Sequence, residues 1–172
     1  MINLSLYKSP IGNLLLASKC NKLIGLWIEG QKYYPKSFKE DVQYFDDNVL
    51  LLTKKWLEKY FKKEKPNIYD IPLQFDGSSF SKTVWQLLCE VSYGQVITYK
   101  QLATNVARKL NLAHMSAQAV GQAVARNPIA LIVPCHRVIG TNGTLTGYAG
   151  GINRKAYLLN HEGINNLGGT YD

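Results

Sequence analysis

The chain is poor in cysteine: Cys20, Cys89 and Cys135 are an odd and widely spaced set among 172 residues, with no CxxC pair. That excludes a disulfide framework and points to a reducing compartment. Long apolar runs are also missing, and no stretch approaches the length a membrane helix needs. The opening MINLSLYKSP lacks a charged leader followed by an apolar core, so the expected location is the cytoplasm, with no membrane partner. Acidic residues are scarce too, 12 against 20 lysines and arginines, and the formal charge is +8. Such an excess favours an anionic partner such as nucleic acid, although an inert basic surface gives the same count. What is abundant is apolar material, 46% of residues, enough for a packed core in one medium or two small domains.

The first half reads as strands followed by a helix. Ile2, Leu4 and Leu6 alternate, Pro10 to Asn13 makes a turn, Leu14 to Ala17 follows, and a second turn at Asn21 and Lys22 leads into Leu23 to Ile28. This pattern predicts an antiparallel meander. Residues 31 to 47 show no clear period. Val49, Leu52, Trp56 and Tyr60, widened by Leu57 and Phe61, predict a helix packed on the sheet, with the lysines from Lys54 to Lys65 as its solvated face. Pro66, Pro72 and the run from Asp76 to Ser79 then punctuate the chain, placing a domain boundary near residue 77 and domains at 1–77 and 78–172.

The second half turns helical. Ser81 is the expected N-cap of a helix carrying Val84, Leu87, Leu88 and Val91 and ending at Gly94, with Cys89 as a small core residue. Thr98 and Gln101 fit a capping box opening a helix with Leu102, Val106 and Leu110, ended near Asn111. Ser116 caps a further helix, Ala117 to Arg126, terminated by Asn127 and Pro128. Residues 98 to 127 thus predict a helix-turn-helix. Its second helix carries Ala117, Ala119, Gly121, Ala123 and Ala125, small residues that allow close approach either to a DNA groove or to its own domain.

The apolar run Ile129 to Val133 reads as a buried strand that delivers Pro134, Cys135, His136 and Arg137. A thiol among cationic neighbours favours its thiolate, a strong nucleophile toward soft carbon. In an extended segment Cys135 and His136 would point to opposite faces, so a bridging water is the expected link unless a turn intervenes. A histidine acting as base needs an orienting partner, and Glu162 at the end of an amphipathic helix can supply it.

The segments SYGQVITYKQLA, AVGQAVARNP, IALIVPCHRVIG, TNGTLTGYAGG and LLNHEG, spanning about residues 80 to 163, resemble the O6-alkylguanine-DNA alkyltransferases, also called methylated-DNA-protein-cysteine methyltransferases. The resemblance implies an α+β fold: an N-terminal ribonuclease-H-like antiparallel sheet with a helix, and a mainly helical, winged-helix-like C-terminal domain containing the helix-turn-helix. It implies direct-reversal repair, in which Cys135 irreversibly takes a methyl or other alkyl group from O6 of guanine in double-stranded DNA, with O4 of thymine as a further donor. His136 would deprotonate Cys135 through water under the control of Glu162, Asn127 would order the turn, and Tyr99 would assist base rotation and protonate the leaving guanine. Val138, Tyr148 and Ala149 would line the pocket for a flipped base, in a loop kept open by Gly147, Gly150 and Gly151. Lys100, Ala117, Gln118, Ala119 and Thr141 would face DNA, with the small-residue helix in the minor groove. The protein would act as a monomer.

Two features set this chain apart within that resemblance. Gln118 stands where many members carry an intercalating arginine, which predicts weaker or less salt-sensitive DNA binding. The N-terminal half holds Cys20 and no histidine, short of the four ligands of a structural zinc, so no metal and no other cofactor is expected. A thiol, imidazole and carboxylate would also suit a cysteine hydrolase, and a DNA-binding relative without chemistry would be a non-enzymatic lesion binder. Cys135 speaks against the second.

Overall fold

The computed structural model describes residues 1–165, which form two compact units. The first comprises Met1–Asp76 together with Pro128–Ala130, and the second Gly77–Asn127 with the chain from Leu131 onward. The whole is α+β.

In the first unit the meander forms from β1 (Ile2–Ser9), β2 (Gly12–Lys19) and β3 (Lys22–Ile28). The β2–β3 turn is Cys20–Asn21, one residue earlier than the sequence suggests, and both residues take the left-handed φ of a tight hairpin turn. A strand with no sequence signal, β4 (Val42–Tyr44), joins β1 in parallel, giving the order β3-β2-β1-β4. Both faces of β2 are covered, which is why Leu14 to Ala17 are all buried. One face receives α1 (Asn48–Phe61), whose N-cap Asp47 accepts from the Leu50 amide at 2.8 Å. The other face is closed by Trp27, Tyr34 and Phe38 over Ile2, Leu4, Leu15 and Ala17. Thus part of the stretch that showed no period serves as a cover.

Two positions in this unit depart from the apolar pattern. Leu6 is exposed on β1, and on α1 Leu52 faces out while Leu50 and Thr53 take the buried stripe with Trp56, Leu57 and Tyr60. Because 100° per residue leaves either neighbour able to continue the stripe, the sequence alone does not choose between Leu50 and Leu52.

The second unit is built on α2 (Ser79–Leu88), α3 (Tyr99–Lys109), α4 (Ala117–Ala125) and α5 (Ile152–His161). Ser78, not Ser81, caps α2, and the Ser81 amide is the donor it receives. The helix ends at Leu88, so Val91 and Gly94 lie in the following turns. The capping box of α3 forms in full between Thr98 and Gln101, and Ser116 caps α4 by accepting from the Ala119 amide. Leu102, Val106 and Val120 are fully buried between these helices, and the Trp85 indole donates to the Ala123 carbonyl at 2.9 Å, fixing α2 against α4. A short parallel ladder joins β5 (Ile97–Thr98) to β6 (Val138–Ile139), directly before α3 and directly after the site.

Candidate active site

The run Ile129 to Val133 is buried but is not a strand. Only Ile129 makes a bridge, to Leu26, and the residues after it turn, with Leu131 at φ 70°. Asn127 holds this turn: its side-chain amide donates to the Val133 carbonyl at 2.9 Å. The chain then enters a 3-10 turn, Cys135–Arg137, instead of continuing extended. The tight turn fans three successive side chains out at about 120° intervals, so thiol, imidazole and guanidinium reach different neighbours while all three remain buried.

Glu162, just past the end of α5, takes up two of them. His136 Nε2 lies 2.5 Å from one carboxylate oxygen, and Arg137 Nε donates to the other at 2.7 Å. Arg137 continues to the Val91 carbonyl at 2.7 Å and covers the Tyr93 ring at 5.6 Å, so the turns after α2 also support the site. Burial pushes the Glu162 carboxyl up, but His136 and Arg137 outweigh it and hold it well below the usual carboxylate range. An ionised carboxylate only accepts, so the proton between them is on His136 Nε2 and the lone pair is on Nδ1. Nδ1 is buried without a hydrogen-bond partner among the described residues, which leaves it as the nitrogen free to take a proton. Burial, together with the charges of Arg137 and Lys155, keeps the imidazole neutral below its ordinary value of 6.5.

Burial pushes the Cys135 thiol up, opposed by a hydrogen bond from Asn127 and by the Lys155 charge. Tyr99, at the first turn of α3, donates to the Thr146 carbonyl at 3.1 Å, and burial pushes its phenol up to about 12. Tyr148 also sends its hydroxyl into the buried region around the thiol. Cys135, His136, Glu162, Asn127, Tyr99 and Tyr148 therefore share one neighbourhood. Val138 is fully buried and Ala149 half-buried beside them. Lys100, Ala117 and Thr141 lie apart, lining an open groove of about 590 Å³ with Arg108 and His114. On α4, Gln118 is exposed and Ala119 half-buried.

Two residues gain roles that the sequence reading lacked. Arg137, read only as framing, is the second holder of Glu162. Lys155 is fully buried although it is charged. A signal for it existed: Lys155 interrupts the apolar stripe Ile152, Ala156, Leu159 of α5.

Fold and site together define an α+β protein that joins a helix-turn-helix pair to a buried cysteine nucleophile. Residues 2–75 match the ribonuclease-like domain of 6-O-methylguanine DNA methyltransferase, and residues 79–164 match its DNA binding domain. The methylated-DNA--protein-cysteine methyltransferase of Methanosarcina acetivorans is 40% identical over 162 residues, covering 92% of this chain and 97% of the relative. That of Haemophilus influenzae is 37% identical, covering 92% and 84%. The crystal structure of Mycobacterium tuberculosis OGT in complex with DNA superposes with a TM-score of 0.82 at 37% identity, over 94% of this chain and 93% of that one. The chain belongs to the 6-O-methylguanine DNA methyltransferase family.

Proposed function

We propose that the protein repairs DNA by direct reversal, with Cys135 as a single-use acceptor of the O6-alkyl group of guanine. The observation that carries this reading is the Nε2-protonated His136, fixed by Glu162 at 2.5 Å, whose free Nδ1 serves the neighbouring thiol. The thiol proton passes through a water to Nδ1, and Glu162 stabilises the imidazolium. The thiolate sulfur then attacks the alkyl carbon. An S–C bond forms, the C–O6 bond breaks, and its electron pair goes to the guanine. Tyr99 donates its phenolic proton so that guanine leaves neutral and recovers its proton from the imidazolium side, so that overall the thiol proton ends on guanine. The exchange balances without a cofactor. A thioether has no electrophilic carbonyl for water to attack, so each molecule acts once.

Duplex DNA is the partner, met by Lys100, Ala117, Gln118, Ala119 and Thr141 with α4 in the minor groove, and the protein acts as a monomer. The target base leaves the stack for a pocket bounded by Val138, Tyr148 and Ala149. Three free thiols suit a reducing cytoplasm. Incubation with a duplex carrying O6-methylguanine, followed by intact mass, tests the reading. One methyl on Cys135, absent in Cys135→Ala, is expected; repeated turnover would favour a cysteine hydrolase, and binding with no mass change a lesion binder.

A further inference from the structure

Lys155 is the buried charge that the chemistry above leaves unused. Its side chain rises from the first turn of α5, entirely shielded from solvent. The ammonium donates to the carbonyls of Thr146 and Gly147, at 3.0 and 2.9 Å. Those same two oxygens face the Tyr99 hydroxyl, at 3.1 and 3.4 Å, and Nζ sits 5.7 Å from the centre of the Tyr99 ring. A positive φ at Gly147 turns its carbonyl into this arrangement, next to Tyr148. A buried ammonium is costly unless it is well paired. Here two neutral carbonyls and a ring face are its contacts, and no carboxylate is among them. A further negative charge forms near it only when Cys135 ionises, and that thiol is the group whose charge Lys155 senses.

We propose that Lys155 is a positioning residue of the alkyl-transfer site, which locks the Thr146–Gly147 loop to Tyr99 and supplies the fixed positive charge against which the Cys135 thiolate forms. Arg137 does not fill this role, because its guanidinium is spent on Glu162 and the Val91 carbonyl. The titratable groups facing Lys155 are Cys135, His136 and Tyr99. Around Cys135 they are Tyr148, Tyr99 and Lys155. The lowered affinity of Lys155 for its own proton, with a pKa near 8, fits an ammonium kept in a dry place for a partner that is not always charged. The lock and the charge have one purpose: the loop carrying Tyr148 stays fixed while sulfur becomes anionic.

The proposal rests on the alkyl-transfer reading, and its test separates the two. In Lys155→Met, which keeps the bulk but not the charge, capping of Cys135 by iodoacetamide is followed against pH by peptide mass. The exposed Cys20 serves as an internal control whose profile should stay put. The Cys135 profile should move up by about one pH unit or more. Methyl transfer at saturating duplex should slow by roughly tenfold or more, with affinity for undamaged duplex within about threefold of the parent. A wild-type pH profile with a wild-type transfer rate overturns the proposal. Should the variant fail to fold, nitrogen NMR of the unmutated protein near pH 6 decides: a Lys155 ammonium protected from water exchange is expected, and a freely exchanging one overturns the lock. If the unmutated protein transfers no methyl at all, the functional reading fails, while the iodoacetamide and NMR results still judge Lys155.

Discussion

Glu162 uses its two oxygens for two different purposes, one on the imidazole and one on the guanidinium. In Glu162→Gln the amide can no longer force the proton onto His136 Nε2, and transfer should fall by about 10²- to 10⁴-fold, measured in single-turnover mass assays. Arg137→Ala leaves the carboxylate free to swing, and it removes a charged hydrogen bond within the fold. A stability loss of roughly 3–5 kcal/mol in urea unfolding is expected for one partner of a buried pair. The carboxyl of Glu162 is depressed in the folded protein, so its contribution to stability is complete above its ordinary value of 4.5 and is lost as pH falls below it. His136 acts in the same direction. Its folded pKa lies below 6.5, the unfolded chain binds the extra proton first, and stability begins to fall as pH drops through 6.5. Urea midpoints should therefore decline from about pH 6.5 downward, and Glu162→Gln should flatten the acid limb of that curve.

At the scale of elements, the helix pair owes its outline to its caps. Thr98 accepts from the Gln101 amide while the Gln101 side chain accepts from the Thr98 amide, so Thr98→Ala should cost about 1 kcal/mol. Tyr99 follows the cap directly, and fraying there should also slow transfer. Gln118 is exposed on α4 and free to meet DNA. Gln118→Arg should tighten duplex binding and steepen the log–log salt slope by about one, since it adds one cation. An unchanged slope in fluorescence titrations would show that this side chain stays clear of the backbone. These helices were readable because capping and a 3.6-residue period are local signals. The run Ile129 to Val133 was misread for the same reason: five apolar residues report burial, and burial in a turn looks like burial in a strand. What bends it is a hydrogen bond from Asn127 to Val133, together with the left-handed Leu131.

At the scale of the molecule, charge is unevenly distributed. From residue 78 onward there are eight basic and three acidic residues, and one of those acids, Glu162, is buried in the site. The exposed surface of that half is therefore strongly basic, as a DNA-facing unit requires. A methyl placed on Cys135 enters a buried position, and overpacking should loosen the turn and helix around it. Hydrogen exchange in residues 116 to 137 should be faster after methylation. Equal protection in both forms would mean that the site accepts the alkyl group without strain.

The sequence by itself determined the meander, the helices and their caps, and the identity of the reacting groups, because each depends on residues within a few positions of one another. Even the pairing of His136 with Glu162 was legible once the chemistry of a base and its orienting partner was applied. Only the tertiary structure decided what depends on approach through space. It set the parallel β4 and the Tyr34–Phe38 cover of the sheet, the turn that replaces a strand before Cys135, and the capture of Glu162 by Arg137. It also set the buried ammonium of Lys155 beneath Tyr99. A lysine on a helix is by default solvated, and nothing local removes its water. Its burial follows from two loop carbonyls eight and nine residues away that happen to meet it.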